Sequence, residues 1–252
     1  MIEIFILSLI QGITEFLPIS SSSHLILISE LINFENQSLS IDVSLHIGSF
    51  LAVITYFYKE ILNLFNNKIL FLKIFISSGP VMIVGFFLVQ TGAIDKIRNI
   101  EIIAWTTLIF GILLYISDKF KLEKNIDKNF TIMSAIFIGF FQILSLIPGV
   151  SRSGIAITAA RLLNFNRLES AKISFLLSIP ILGAVSLFGM KNLLLSESFF
   201  FTKINLISIF FSFIFSIITI KFFLGYIKKF DLKIFVFYRL ALGLVLLIIT
   251  YL

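Results

Sequence analysis

The sequence predicts an all-α integral membrane protein. Its architecture is an inverted repeat of one re-entrant helix hairpin plus three transmembrane helices, giving six spans and two hairpins. Three observations predict it. The 252 residues are 58% apolar and 13% charged, whereas soluble domains carry about 25% charge. Two short polar breaks, Pro18-Ile19-Ser20-Ser21-Ser22-Ser23-His24 and Pro148-Gly149-Val150-Ser151-Arg152-Ser153-Gly154, interrupt long apolar runs. The hydrophobic runs also follow the same order in both halves, about 1–120 and 130–252, of one integral domain covering 1–252.

The first run, residues 2–17, carries Gln11 and Glu15 one helical turn apart and stops at Pro18. A span needs roughly 20 apolar residues, and this run is shorter. So is the run after the serines, residues 25–34. Together they predict a helix–break–helix hairpin that enters the membrane and returns; the alternative is one kinked span over residues 2–28. Spans follow at 43–58, with His46, Gly48 and Ser49 near its start, at 69–89 and at 100–116. The second of these carries Gly79-Pro80, an expected kink. After a charged loop, 118–128, residues 130–163 are apolar but broken at 148–154, and spans follow at 173–190, 204–224 and 234–252. Three crossings per half turn the second half over. Inverted repeats whose broken helices meet near the midplane are a transporter design.

The two breaks resemble each other. Aligning Pro18 with Pro148 places Ser21 on Ser151 and Ser23 on Ser153. Backbone irregularity in lipid survives only inside protein or beside a watery cavity, so the breaks read as two halves of one site.

Loop charges give the orientation. If residues 59–73 are cytoplasmic, that side holds Lys59, Lys68, Lys73, Lys119, Lys121, Lys124, Lys128, Arg167, Lys172, Lys228, Lys229 and Lys233. The outer side holds only Lys96, Arg98, Lys191 and Lys203, as the positive-inside rule expects. Both termini are then outside, the first hairpin opens outward and the second opens to the cytoplasm. Eight plain spans are the competing topology.

Composition excludes several functions. The chain has no cysteine, so disulfides, thiolate metal sites and a cysteine nucleophile are out. The net charge of +6 is explained by loop lysines and does not call for nucleic acid. Residues 1–9 lack a basic start and a small-residue cleavage pattern, so a cleaved signal peptide is not expected.

Glu15, His24 and Arg152 are the ionisable groups deepest in the broken segments. Charges at that depth mark function; simple pairing of Glu15 with Arg152 is the plainer account. Serines before a helix are good N-caps, which alone would explain Ser20 to Ser23. Arg152 argues for more, because a cation at a helix N-terminus opposes the helix dipole. An anion there satisfies both the arginine and the free N–H groups, and phosphate is the usual guest. Two helix N-termini, several hydroxyls and an arginine fork suit a diphosphate. Gln11 and Glu15, spaced i, i+4, share one helix face, where a carboxylate beside phosphates would hold Mg²⁺ or act as a base. His24, three residues after Ser21, could approach its hydroxyl as a Ser–His pair. His46 and Arg239 are weaker candidates, the first as a structural hydrogen-bonder and the second as an interfacial or interhelical anchor.

At these residues the sequence resembles the undecaprenyl-diphosphate phosphatase family of the bacitracin-resistance type. The resemblance rests on Gln11-Gly12-Ile13-Thr14-Glu15-Phe16-Leu17-Pro18-Ile19-Ser20-Ser21 with His24, on Pro148-Gly149-Val150-Ser151-Arg152-Ser153-Gly154, and on Leu45-His46-Ile47-Gly48-Ser49-Phe50-Leu51-Ala52-Val53. It implies an integral membrane enzyme of the bacterial inner membrane. That enzyme removes the terminal phosphate of undecaprenyl diphosphate and returns the lipid carrier to peptidoglycan synthesis. It implies a divalent cation, Mg²⁺ or Ca²⁺, and places the family's essential Glu, Ser, His and Ser-Arg on Glu15, Ser21, His24, Ser151 and Arg152. The sequence departs from the family at Ser23, where Gly is usual, and at Ala156, where Thr is usual.

The expected roles follow. Glu15, Ser21, His24 and Arg152 are catalytic; Ser20, Ser151, Arg152 and Ser153 bind substrate; Glu15 with Gln11 holds the cation. Ser21 as nucleophile and a metal-activated water both stay open. Expected partners are the polyprenyl diphosphate lipid and the bilayer, without nucleic acid and with a homodimer left open. The site is expected on the outer face. The rival reading from another class is a lipid flippase or transporter using the same broken helices.

Overall fold

The computed structural model describes residues 1–32, 38–120, 124–195 and 202–252. Among them the chain is helical, with no strand beyond an isolated Lys124–Phe165 bridge. The order is α1 (Ile2–Thr14), α2 (Ser21–Ile32), α3 (Leu39–Tyr56), α4 (Tyr58–Asn66), α5 (Lys68–Gln90), α6 (Ala93–Lys96), α7 (Ile100–Asp118), α8 (Ile126–Asn129), α9 (Ile132–Ile143), a 3₁₀ turn (Leu144–Leu146), α10 (Arg152–Leu162), α11 (Arg167–Leu195), α12 (Lys203–Ile227) and α13 (Lys233–Tyr251).

Six of these, α3, α5, α7, α11, α12 and α13, are long and apolar enough to cross a membrane. They match the six expected spans, and the protein is a multi-pass membrane protein. The helices flanking the breaks are shorter, at 11 to 13 residues. At 1.5 Å per residue they reach about 20 Å, well under the roughly 30 Å hydrocarbon thickness. Singly, none of these four helices is long enough to cross. α1 and α2 contact each other, with Ile4, Leu7 and Leu25 in one buried cluster. The expected end of this run near residue 34, and Lys121 of the charged loop, lie outside the described residues.

Polar caps set where the helices begin. Asn67 Oδ1 accepts from Leu70 N–H, Asn99 Oδ1 from Ile102 N–H and Thr131 Oγ1 from Ser134 N–H, each satisfying an otherwise orphaned donor. Pro80 lies inside α5 and Pro180 inside α11. The stretch expected as a loop, 59–73, instead holds α4 and the first turns of α5. Its lysines and asparagines keep it from reading as a span, although Phe57 at its start is buried.

The pairing of helices exchanges the halves. α1 packs on α12 as α9 packs on α5; α3 packs on α12 as α11 packs on α5; the pairs α3–α11 and α7–α13 map onto themselves. Close backbone approach occurs in both the α1–α12 and the α9–α5 pair. A Cβ on Gly12 would meet Phe215 and Ser216 of α12, and one on Gly139 would meet the Ser77 backbone of α5. Small residues at helix contacts are how helices associate when lipid replaces water. The α3–α12 seam adds a hydroxyl ladder: Ser49 bonds both Ser212 and Ser216, and Asn205 Nδ2 donates to Ser44 Oγ.

One end of the bundle is tied by charge. Asp118, closing α7, accepts from Arg161 of α10, from Nε and Nη2 of Arg167 on α11, and from the Leu232 N–H before α13.

Candidate active site

The breaks meet in the interior. Between α1 and α2, Ser20 has φ +74°, and between the 3₁₀ turn and α10, Ser151 has φ +70°. Both are strained left-handed positions for a non-glycine residue, and each sits directly before its helix. Ser20 Oγ reaches Ser23 Oγ (2.9 Å), and Ser151 Oγ accepts from Gly154 N–H (3.1 Å), both three residues on. The structural match is therefore Ser20 with Ser151, one residue away from the Pro18-on-Pro148 alignment. The two segments reach the turn differently: Gly149, at φ +92°, follows Pro148, and a Cβ there would overlap Thr106 Oγ1.

Glu15 joins the halves. Its Oε1 accepts from Arg152 Nη2 at 2.7 Å across 137 positions of sequence. Its Oε2 accepts from Ser21 Oγ at 2.7 Å and from Gln11 Nε2 at 3.1 Å. Ser153 adds a second link, donating to the Leu17 carbonyl at 2.7 Å, and bonds Ser151 Oγ at 3.2 Å. Gln11, Glu15, Ser21, Arg152, Ser151 and Ser153 thus form one connected group.

Two polar atoms in this group are buried without a partner among the described residues: Gln11 Oε1 and Arg152 Nη1. An orphaned acceptor and an orphaned donor in a buried site are costly. They complement a cation and an anion respectively.

His24 lies elsewhere. Its Nδ1 is 2.6 Å from the Ser20 carbonyl and its Nε2 2.5 Å from the Tyr238 hydroxyl. Ser21 gives its hydroxyl hydrogen to Glu15, so the expected Ser21–His24 pair is not brought together. His46 also keeps to its own helix, with Nδ1 at 2.8 Å from the Asp42 carbonyl.

Of the two roles expected for Arg239, interfacial or interhelical anchor, the structure gives the second: the residue is fully buried, at 0% exposure, and ties α13 to α7. Its guanidinium donates to the carbonyls of Pro18 (3.2 Å), Gly149 (2.8 Å), Val150 (3.0 Å) and Thr107 (3.3 Å). It holds the carbonyls that both breaks would otherwise leave unpaired. A charge in the middle of an expected span was the available signal; Tyr238 gave none.

Residues 4–245 match the family of the bacitracin resistance protein BacA. The chain belongs to this family. Among relatives of the BacA family, an undecaprenyl-diphosphatase of Pelagibacter ubique (strain HTCC1062) is 52% identical over 99% of this chain and 98% of its own. One of Saccharophagus degradans is 41% identical over 94% of this chain and 93% of its own. One of Jannaschia sp. is 37% identical over 98% of each. In this BacA-family chain, Ser23 is fully buried on Ser20 Oγ. Ala156 is fully buried too, inside α10.

Proposed function

We propose that this protein is an undecaprenyl-diphosphatase, hydrolysing undecaprenyl diphosphate to undecaprenyl phosphate and inorganic phosphate. The observation that carries the reading is the Ser21–Glu15–Arg152 chain across the two breaks. It places a hydroxyl, a proton acceptor and a cation with one free donor at the starts of two helices, where anions bind well. The family and its undecaprenyl-diphosphatase relatives support the substrate. The transporter reading has no comparable support.

In this reading Arg152 Nη1, unpartnered in the protein, takes a non-bridging oxygen of the terminal phosphate. Ser21 Oγ attacks the terminal phosphorus as its proton passes to Glu15 Oε2. The bond from phosphorus to the bridging oxygen breaks, and undecaprenyl phosphate leaves with the electron pair. Water then releases phosphate from Ser21. The Ser21–Glu15 bond favours this over a Ser21–His24 pair. The N-terminal turn of α10, with Ser151 and Ser153, and Ser20 before α2 would line the diphosphate.

The residues fit a divalent cation. No cluster of three His, Cys, Asp or Glu occurs among the described residues, so the protein alone does not build a cage. Glu15 and the orphaned Gln11 Oε1 supply oxygens one helical turn apart on α1, and Mg²⁺ is commonly held by one or two such groups plus substrate phosphates. When bound, Mg²⁺ or Ca²⁺ would neutralise diphosphate charge.

The short helices flanking the breaks support re-entrant hairpins, the loop charges and the repeat support a site reached from the outer side, and the reading places the protein in the inner membrane. Because the chain has no cysteine, single cysteines at Asn99 and at Lys228 can be labelled from one side of intact cells. Asn99 should label from outside and Lys228 only after permeabilisation; the reverse pattern would overturn the orientation.

Purified protein should release phosphate from undecaprenyl diphosphate when Mg²⁺ or Ca²⁺ is added. Glu15→Gln and Arg152→Ala should each lower the rate by about 10³-fold, the scale for losing a group that stabilises developing charge. Well-folded wild type that releases none, or either variant at full rate, would sink the reading.

A further inference from the structure

His24 and Tyr238 are 214 positions apart in sequence, yet their ring nitrogen and hydroxyl are 2.5 Å apart. The two rings lie nearly parallel, 5.7 Å between centroids and 12° between planes. We propose that Tyr238 is a positioning residue of this site, fixing the His24 ring, with its proton on Nδ1 and its Nε2 accepting from the Tyr238 hydroxyl, against the Ser20 carbonyl that precedes α2.

The hydrogen-bond chemistry leads there. A carbonyl oxygen only accepts, so Nδ1, facing the Ser20 carbonyl at 2.6 Å, must carry a hydrogen. In a neutral ring the other nitrogen is then an acceptor. The Tyr238 hydroxyl is the donor it meets. The hydrogen bond, made with the two rings nearly coplanar, fixes both the ring plane and the proton. Which nitrogen of a histidine is free is set by the bond the other makes, and here both bonds are assigned.

The placement in the fold strengthens the case. Tyr238 precedes Arg239 on α13, and Arg239 donates to the carbonyls of Pro18, Gly149 and Val150. One dipeptide therefore fixes the spacing of the two breaks and the state of the histidine beside them. Ser20 is shared: its strained backbone starts α2, and its carbonyl receives the His24 proton. With Nε2 occupied by Tyr238, His24 does not serve Ser21, which donates to Glu15 instead.

The inference rests on the phosphatase reading for its kinetic part only. The chain has two histidines, His24 and His46, so imidazole ¹⁵N spectra of the full-length protein in detergent are readily assigned with a His46→Asn control. Wild type should show the Nδ1-protonated tautomer at His24 with a hydrogen-bonded Nε2. Tyr238→Phe, which keeps the aromatic ring and removes one oxygen, should lose the Nε2 shift and mix the tautomers. Its kcat should fall about tenfold while KM moves less than twofold. Added to His24→Gln, Tyr238→Phe should change kcat less than twofold, because the hydroxyl acts through the ring. An unchanged ¹⁵N spectrum, an unchanged kcat in active enzyme, or fully additive losses would each overturn the proposal. A wild type without phosphatase activity whose His24 spectrum still responds to Tyr238→Phe would support the pairing and count against the phosphatase reading.

Discussion

Glu15 holds three side chains with two oxygens, and that economy makes it the least replaceable residue in the group. Ser21 and Gln11 share Oε2, while Arg152 takes Oε1. Arg152 in turn spans two directions, bonding Glu15 through Nη2 and leaving Nη1 free. Lysine carries one point charge and lacks the fork. Arg152→Lys should therefore keep the fold and lose about 100-fold in kcat/KM for phosphate release, a loss seen by direct assay beside an unchanged melting temperature. These residues were legible in the sequence because a charge amid apolar residues is conspicuous. The partner of Ser21 was not. Spacing of one turn suggested His24, but the left-handed backbone at Ser20 starts α2 in a direction that draws the imidazole back onto the Ser20 carbonyl. Local dihedral angles of that kind leave no periodic trace.

At the scale of elements, the breaks work because the backbone around them is matched to neighbours. Gly149 sits at φ +92° under Thr106, whose hydroxyl donates to the Pro148 carbonyl at 2.5 Å. Gly149→Ala must strain the backbone and push Thr106 aside, at a cost of about 1–3 kcal/mol for the dihedral alone. It should lower the melting temperature and the phosphate-release rate together. Gly12→Val should act differently, separating α1 from α12 and lowering the yield of folded protein. The six spans were legible from hydropathy because each carries a long apolar run. The alignment of the two breaks was legible only to within one residue. Proline marked both segments, but the strained serine, invisible in composition, is what the two share. α4 was missed because its amphipathic pattern is short and polar, and what holds it is the buried Phe57 at its start.

At the scale of the molecule, exchange of the halves preserves the main pairings of α1, α3, α5 and α7 with their counterparts, while the chemistry is divided unequally: the carboxylate and Ser21 come from the first hairpin and the guanidinium with its unpartnered Nη1 from the second. Neither half holds a site. The far end is closed separately, by Asp118 with Arg161 and Arg167. Breaking a buried ion pair by removing one partner costs about 3–5 kcal/mol. Asp118→Asn should thus lower thermal stability sharply, yet leave turnover per folded molecule near wild type in a cold assay; a large loss in the cold would mean that this end governs the site. The repeat order was legible because both halves punctuate their runs alike. The interlock was not, since contacts across more than 100 residues leave no local pattern.

The four carbonyls bound by Arg239 also set an order of events during synthesis. The chain leaves the ribosome N-terminus first, so the Pro18 break is made and inserted more than 200 residues before the guanidinium that completes it. Until α13 arrives, the irregular backbone of both breaks has open acceptors at membrane depth, a state that lipid penalises. Assembly is therefore a latch closed by the last span. A chain cut short anywhere before residue 239 is not a slower enzyme but an unlatched one, without the guanidinium that holds both breaks.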